Sequence, residues 1–541
     1  MYRPLLSLAF ISALAAVACG PSAQPAAPAS SPAQPKPGGV LNTSLNFTSD
    51  PNDWDVRTQG KTGVNVEVHG LAYETLLRFK KGEGVDYASQ VLVPKLAEKW
   101  EVSPDAKTFT FHLDKRAKFQ NLPPVNGRPL TSADIKWSIE YYSARELDGK
   151  KLPTSSVEVL FEGLDRVDTP DPQTAVVRFK EPYVPFIYYS ASQWFPVAAK
   201  EVYQKDTHLK DTLIGSGPFI LDTAGTQKGT VWSLKKNPDY WESGKPYLDG
   251  IKRLVLPEPS TAIAAFQAKQ LDVHYVDRHN EAQAMINGNP QAGREKYMVP
   301  IGSALLISQR RGGPLADARV RRAISLAIDR DEHNKVLFGG EGAPYLAGGW
   351  PGLFTEAEAK QMVRSDPEQA KRLLEQAGFP AQALSFEMII TDNERDLVQH
   401  QLIQAQLKKV GIDMRFTVLP REQHRPRLYS GDYDFYRNSG GGLLEADADS
   451  FLFGEFYSGS SLNWSVIKDP DLDVLLLGTR REVEPEKRRE AMRGAVKRIN
   501  EMAWDPGLVH PANWSFWHPY VKDWRRHFDR GEDEALVWLD K

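Results

Sequence analysis

The chain has 541 residues, of which 41% are hydrophobic and 25% charged, and its formal net charge is -3. These proportions are ordinary for a water-soluble globular protein, and the length predicts roughly three or four domain-sized units. Because there is no excess of positive charge, the composition does not favour nucleic-acid binding, and we expect no nucleic-acid partner.

The first 18 residues have the pattern of a secretory signal peptide. Arg3 precedes an apolar run over residues 5–18, which is too short to cross a bilayer. The run ends in Ala-Val-Ala-Cys at Cys19, the only cysteine, and this order resembles a bacterial lipobox with Ala in place of the usual Leu. We expect lipidation of Cys19, a Pro/Ala-rich tether over residues 19–37 and membrane anchoring in the cell envelope. The alternative is an ordinary signal peptide and an incidental thiol.

Alternation of apolar residues and turn signals predict a mixture of strands and helices along the rest of the chain. Strands are predicted near residues 38–43 and at 108–113, 174–179, 219–221, 231–234, 251–256, 304–308 and 412–418. Helices are predicted from residues 131–134 onward, from about 260 onward, and at 318–331, 366–378, 394–410 and 485–502. The alternation of helix and strand after residue 366 indicates an α/β lobe.

The predicted helix over residues 318–331 carries several arginines. Its apolar face is formed by residues such as Val320 and Ile324, and the arginines lie elsewhere on the helix: Arg319, Arg321, Arg322 and Arg330. Such a pattern is typical of a solvated charged face, which we expect here in preference to an anion site.

Motifs of enzyme chemistry are absent from the sequence. It contains no His-Glu-x-x-His, no Gly-x-Ser-x-Gly and no P-loop. The acidic alternation over residues 445–449 departs from a calcium-binding EF-hand loop, which needs Gly where Ser450 stands and Glu where Phe456 stands. We therefore expect no catalytic residue, no metal site and no cofactor.

Several ordered motifs carry a family resemblance. Four lie in residues 215–272: GSGPF, KNPDYW, GKPYLD and a Ser-Thr-Ala…Gln-Ala-Lys-Gln-Leu-Asp run. Residues 71–79 (LAYETLLRF) and 317–330 (DARVRRAISLAIDR) add two more. Together they resemble family 5 of the bacterial extracellular solute-binding proteins, the peptide/nickel class that serves ABC importers.

The resemblance implies a fold and a division into domains. The fold would be α/β, periplasmic-binding-protein-like class II, with two hinged lobes and an extra domain inserted in the first. The implied units are a base lobe (38–75, 211–300 and 506–541), an extra domain (76–210) and a second lobe (301–505). The chain would cross between the lobes near residues 299–303 and 509–513.

Peptide-binding members of the family carry an Asp shortly before an acidic-Pro-x-x-Phe stretch, where it meets the charged amino terminus of the peptide. Aligned on Phe451, that Asp position holds Leu444, with Glu445 beside it, and Ala448 replaces the Pro. The usual peptide anchor is thus missing, unless Glu445 takes its place.

The expected ligand contacts are Glu445, Asp447, Asp449, Asn463, Trp464, Trp194 and Arg310. The alternative for Trp464 and Trp194 is core packing, and for Arg310 an ordinary surface position. No His lies between His424 and His510, which argues against the metal ligands of nickel-binding members.

The expected function is that of a monomeric substrate-binding lipoprotein. It would capture a small solute, an oligopeptide first, between the two lobes and deliver it to the permease of an ABC importer. Alternatives on the same fold are a binder of an opine-like conjugate or an oligosaccharide, an envelope hydrolase or a chaperone.

Overall fold

Alternating apolar segments form the strands of this protein. The computed structural model describes residues 34–45, 54–58, 63–82, 84–153, 155, 157–206, 208–300, 302–379, 384–391, 397–438, 446–529 and 533–541. Within these ranges the strands are β1 Val40–Leu45, β2 Leu77–Phe79, β3 Leu92–Pro94, β4 Ala97–Val102, β5 Thr108–Leu113, β6 Glu146–Leu147, β7 Lys150–Lys151, β8 Leu164–Asp171, β9 Thr174–Phe179, β10 Phe219–Leu221, β11 Val231–Lys236, β12 Gly250–Val255, β13 Val273–Val276, β14 Gly293–Met298, β15 Ala304–Ile307, β16 Ala343–Pro344, β17 Leu384–Thr391, β18 Ile412–Leu419, β19 Phe435–Asn438, β20 Val509–His510, β21 Ala512–Trp517, β22 Val521–Lys522 and β23 Trp538–Leu539.

The helices of the described residues begin in several cases at capping signals that the sequence contains. They are α1 Gly63–Ala72, α2 Ser132–Ser143, α3 Pro185–Tyr189, α4 Lys200–Asp206, α5 Pro259–Gln267, α6 His279–Gly288, α7 Ala318–Ala327, α8 Arg330–Phe338, α9 Glu356–Met362, α10 Pro367–Gln376, α11 Leu397–Lys409, α12 Arg421–Ser430, α13 Asp449–Phe456, α14 Pro470–Arg481 and α15 Pro485–Glu501. Thr131 and Asp134 form a capping box on α2, and the Asp366 carboxylate accepts from the Gln369 N–H at the start of α10.

Among the described residues, three sheets of four or more strands organise the unit formed by Lys36–Lys541. The base lobe contains a seven-stranded sheet in the order β10-β11-β12-β1-β13-β21-β14. The extra domain contains the sheet β4-β5-β9-β8, and the second lobe contains the sheet β15-β19-β17-β18. The chain leaves the base sheet after β1 to form the extra domain, and leaves it again after β14 to form the second lobe. This order is that of two α/β lobes with a domain inserted in the first, as predicted.

The glycines of the GSGPF motif allow close packing between a strand and a helix in the base lobe. Gly217 donates its N–H to the Ala72 carbonyl at the end of α1, over 2.9 Å. A Cβ on Gly217 would lie 2.6 Å from the Ala72 carbonyl carbon, and one on Gly215 would also collide with Ala72. Any larger residue would push the strand away from the helix, so the glycines permit this close packing.

The predicted single helix over residues 318–331 is wrong. It is two helices, α7 and α8, because Ile328 has extended backbone and Asp329 caps a new helix by accepting from the Glu332 N–H at 3.0 Å. The apolar periodicity continues across the break, so the pattern alone did not reveal it.

The predicted solvated face of the arginines is also wrong for two of them. Arg321 and Arg330 are only 1% and 5% exposed. Arg321 donates to the carbonyls of Leu315 and Ala316, and Arg330 donates to Gly507 O at 2.7 Å. Burial lowers the pKa of Arg321 to about 10 and that of Arg330 to about 9. Backbone carbonyls, which have no sequence signature, hold these two guanidinium groups inside the lobe.

The hydrophobic core is divided unequally. One cluster lies against the second-lobe sheet and includes Leu305, Val320 and Met388. A larger cluster joins the base lobe and the extra domain, and it also takes in side chains from α13, α14 and α15. Those three helices therefore pack toward the other two domains. The exact domain boundaries stay a prediction.

Candidate functional site

The two segments that link the lobes meet both sheets at equivalent edges. In the base sheet, Met298 at the end of β14 pairs with Ala512 at the start of β21. In the second lobe, Ala304 at the start of β15 pairs with Asn438, the last residue of β19. The chain thus leaves the base sheet after Met298 and enters the second-lobe sheet at Ala304, and it returns to the base sheet at Ala512 from β20, which pairs with β16.

Both of these edges are carboxyl edges of parallel strands. β1 runs parallel to β12 and β13, and β17 runs parallel to β18 and β19. β21 is antiparallel to β13, so its first residue lies at the carboxyl end of β13. Open α/β sheets bind ligands outside the carboxyl ends of their strands. The candidate site is therefore the space where these two edges face each other across the crossing segments.

Asp447, one of the predicted ligand contacts, has a carboxylate that is bound by the protein itself. It is fully buried and accepts two hydrogen bonds from Arg488, at 2.6 and 2.9 Å. Burial alone would lower the pKa of Arg488, but the charge of Asp447 outweighs it and raises that pKa. Gln90 of the extra domain donates to the neighbouring Ala446 carbonyl at 2.8 Å. These contacts hold in place the residues that precede α13.

Asp449 has a second arginine of its own. It is also fully buried, and Arg480 donates to its two oxygens at 2.7 and 2.9 Å. From the extra domain, the Tyr189 hydroxyl lies 3.3 Å from Asp449, and Glu162 pairs with Arg480 at 2.6 Å. The pair Asp449–Arg480 thus joins the second lobe to the extra domain. Direct contact of Asp447 or Asp449 with a ligand stays a prediction.

Asn463 and Trp464 follow α13 in a loop. The Asn463 amide donates to the carbonyls of Tyr457 and Ile467, at 3.2 and 2.8 Å, and accepts from the Ile467 N–H. Trp464 is partly buried and lies against Tyr429, with ring centroids 5.1 Å apart. In this arrangement Asn463 shapes the loop and Trp464 packs on α12.

Arg310 lies at the other edge of the second-lobe sheet. β15 is antiparallel to β19, so Arg310, which follows the end of β15, lies toward the amino end of β19. Its side chain is exposed and donates to Ser430 O at 2.7 Å. Trp194, in the extra domain, is partly buried against the large core. The structure does not bring Arg310 together with Asp447 and Asp449, and the ligand contacts of Arg310 and Trp194 stay predictions.

Three other predicted positions, Glu445, Leu444 and Cys19, lie outside the described residues.

Two acids that the sequence did not single out lie close to the crossing segments. Asp505 accepts from the Ile307 N–H at 3.0 Å and from the Ser465 hydroxyl at 2.9 Å. Burial raises the pKa of Asp505 to about 7. Burial, and then the nearby charge of Asp505, raise the pKa of Glu455 to about 8. Asn438, at the carboxyl end of β19, donates to Glu455 at 3.4 Å. An acid within the apolar later part of α13, and an Asp just before the second crossing, are signals that could have pointed to them.

The described ranges contain neither a metal-binding cluster nor a membrane-spanning helix. No group of three or more His, Cys, Asp or Glu side chains there could hold a metal ion. None of the described helices combines the length and apolar character needed to cross a bilayer.

Two α/β lobes linked by two crossing segments, with carboxyl strand edges facing the junction, define a class II periplasmic binding protein. The chain belongs to the bacterial extracellular solute-binding proteins, family 5, whose model matches residues 91–463. The resemblance inferred from the sequence motifs is confirmed.

A relative in Pseudomonas aeruginosa (strain UCBPP-PA14), di/tripeptide-binding protein 2, is 26% identical over 95% of this chain and 97% of its own length. Among solved structures, the periplasmic binding protein DppA from Helicobacter pylori in complex with the peptide STSA has a TM-score of 0.75 at 23% identity, covering 94% of this chain and 99% of that one. AgaA from Agrobacterium tumefaciens R10 in complex with agropinic acid has a TM-score of 0.75 at 24% identity, covering 93% and 99%. These two structures share the fold.

Proposed function

We propose that the protein captures an oligopeptide between its two lobes and delivers it to the permease of an ABC importer. Membership of the solute-binding family over residues 91–463 carries this proposal. The similarity to a di/tripeptide-binding protein along nearly the whole of both chains supports a peptide as the first ligand to test.

The mechanism rests on differential affinity for two lobe arrangements. A solute that contacts both lobes binds the closed arrangement more tightly, so it shifts the protein toward closure. Among the described residues, two short segments link the base and second-lobe sheets, one between Met298 and Ala304 and one that enters β21 at Ala512. Rotation about these segments would leave both sheets intact, but it would also have to move the core that α13, α14 and α15 share with the base lobe and the extra domain.

We assign the charged amino terminus of the peptide to Glu445. Leu444 occupies the position of the family's Asp, so Glu445 is the nearest carboxylate in the chain. Asp447 and Asp449 support this role because Arg488 and Arg480 hold the segment that follows. Trp464, Trp194 and Asn463 are proposed as further contacts, reached on closure. Arg310 is proposed as a contact too, although it lies at the opposite edge of the second-lobe sheet.

Calorimetric titration with a dipeptide and its N-acetylated form tests the proposal. We expect Glu445→Gln to weaken binding of the free-amine peptide by about tenfold or more, since it removes a charge-assisted hydrogen bond. Leu444→Asp restores the family's carboxylate and should strengthen the same binding. Glu356→Gln, which changes an exposed acid of α9 paired with Lys360, is the matched control and should have no effect. Failure of any free-amine peptide to bind would refute a peptide ligand.

The missing Asp also favours a second candidate, a ligand without a free amino terminus. An opine-like conjugate fits that description, and an oligosaccharide is the next alternative. Native mass spectrometry of the purified protein would identify the solute it carries. Titration with agropinic acid, an oligosaccharide and the peptides would then rank them. Binding of agropinic acid that is indifferent to Glu445→Gln would favour the second candidate over the first.

We propose that Cys19 carries a lipid that anchors the protein to a membrane of the cell envelope. The apolar run before Cys19 and the Pro/Ala-rich stretch after it support this assignment. Cys19→Ser should move the protein from the membrane fraction to the soluble envelope fraction. Ser7→Ala, within the apolar run, is the control and should remain in the membrane fraction. Unchanged membrane association of Cys19→Ser would argue against lipidation. A single mass in light scattering would test the expected monomer.

A further inference from the structure

A pocket on the second lobe has the chemistry of an anion-binding site. It has a volume of about 200 Å³ and lies where α7, α9, α10 and the end of α15 meet. The polar side chains that line it are Arg322, Ser325, Gln361, Arg364, Gln369, Asn500 and Glu501. This pocket is formed within one lobe, so it is independent of the function proposed for the space between the lobes.

Two guanidinium groups line the pocket without a carboxylate partner. Neither Arg322 nor Arg364 forms an ion pair with any of the residues that the structure describes, and both are exposed. Arg319, one turn away on α7, is different, because Asp317 holds it at 2.6 Å. Arg364 is oriented by donating to the Gln369 side-chain oxygen at 2.9 Å. Its remaining N–H groups can still bind a ligand.

Hydrogen bonds and an arginine–tryptophan contact connect the elements that form the pocket. Leu326 O, on α7, accepts from the Asp366 N–H at 2.8 Å, which holds the loop containing Arg364. Arg321 donates to Met502 O at 3.2 Å, and its guanidinium stacks 3.8 Å from the ring centroid of Trp504. The end of α15 is thereby tied to α7. Backbone and buried contacts therefore hold the pocket in place, in addition to its exposed side chains.

Buried positive charge lies behind the same walls. Arg330 donates to the Ser325 hydroxyl at 3.1 Å, which leaves the hydrogen of that hydroxyl for another acceptor. Arg321 and Arg330 are buried against carbonyls, and neither forms an ion pair in the described part of the chain. Carboxylates that do not pair with them still act on them, Asp317 and Asp505 on Arg321 and Asp329 on Arg330, so part of this positive charge is offset.

Opposing charge is limited. Glu501 is the one acid among the lining residues, so the lining carries two positive charges against one negative charge. The Asp366 carboxylate lies nearby, but it accepts from the Gln369 N–H at 2.8 Å as the cap of α10.

We propose that this pocket binds a small oxyanion, a carboxylate or a phosphate group, through Arg322 and Arg364. Planar guanidinium groups bind both kinds of anion by paired, charge-assisted hydrogen bonds. The Ser325 hydroxyl and the Gln369 amide add neutral donors at the same place. Glu501 weakens the attraction.

Titration of the mature protein with inorganic phosphate, and separately with succinate, tests this site. Calorimetry and the rise in melting temperature on binding are the two readouts. We expect Arg322→Gln and Arg364→Gln each to weaken binding about tenfold or more. Arg319→Gln, on the same helix but paired with Asp317, is the matched control and should bind as the unmodified protein does.

Glu501→Gln is expected to have the opposite effect and to tighten binding, which a general loss of folding would not produce. Circular dichroism of each variant without ligand checks that it folds. Binding of phosphate alone, or of succinate alone, would identify which kind of oxyanion the pocket takes. Absence of binding by both probes, or binding that survives the double change of Arg322 and Arg364 to Gln, would overturn the proposal.

Discussion

Two pairs of acids in the second lobe differ in their surroundings. Asp447 and Asp449 each face an arginine, Arg488 and Arg480, across distances of 2.6 and 2.7 Å. Glu455 and Asp505 lie close to each other instead. Within the described residues, they receive hydrogen bonds from neutral groups and form no ion pair.

The presence or absence of an arginine partner determines whether the charge of each pair changes with pH. Beside arginines, Asp447 and Asp449 are anchors that hold α13 against α14, α15 and the extra domain. Without such partners, burial raises the pKa of Asp505 to about 7 and that of Glu455 to about 8. Their charge therefore changes near neutral pH, close to the segments that link the lobes. The first pair supports structure, whereas the second can respond to pH.

The largest expected effect comes from removing one arginine of the first pair. Arg488→Met leaves the Asp447 carboxylate buried without a partner, which should lower the free energy of unfolding by about 3–5 kcal/mol. Urea denaturation followed by tryptophan fluorescence would measure the loss. Lys487→Met, the neighbouring and exposed residue of α15, is the control and should change little.

Asp447→Leu combined with Arg488→Met sharpens this test. Removing both charges eliminates the unpaired carboxylate, so the double variant should regain much of the stability lost in Arg488→Met. If Arg488→Met alone were as stable as the unmodified protein, Asp447 would not depend on its arginine and the contrast between the two pairs would fail.

The second expected effect is a pH dependence of stability caused by Asp505 and Glu455. Their pKa values in the folded chain lie above the ordinary values of 3.8 and 4.5. Between about pH 4 and pH 8 the folded chain therefore holds protons that the unfolded chain has released. The free energy of unfolding should fall as pH rises through this window and level off above it.

Asp505→Asn should remove part of this slope, on the order of 2 kcal/mol between pH 5 and pH 8.5. An amide resembles the protonated acid, and its oxygen can still accept from the Ile307 N–H. Denaturation series at several pH values would measure the slope. Asp413→Asn, at an exposed position beside Arg415, should leave the slope unchanged. An equal slope in Asp505→Asn would show that this acid is ionised throughout.

Local structure could be predicted from the sequence, whereas the partners of the buried charged side chains could not. The strands at Thr108–Leu113 and Thr174–Phe179 match their predicted bounds because alternation is encoded within each segment. Asp447 and Arg488 are 41 residues apart, and Arg330 binds a carbonyl 177 residues away. Such partners are set by packing. The ligand contact expected at Glu445 depends on a loop outside the described residues, so it remains a hypothesis drawn from the motif.

The smallest expected effect concerns the contact that Arg480 makes with the extra domain. Glu162 of the extra domain pairs with Arg480 at 2.6 Å, but its side chain is half exposed. Water screens this contact, and Arg480 keeps both oxygens of Asp449, so Glu162→Gln should cost about 0–1 kcal/mol in urea denaturation. Glu181→Gln, an exposed acid of the same domain, provides the comparison. A loss several times larger than this would mean that Glu162, rather than Asp449 and Tyr189, carries the attachment of the extra domain to the second lobe. The arginines would then serve to join domains as much as to neutralise the buried aspartates.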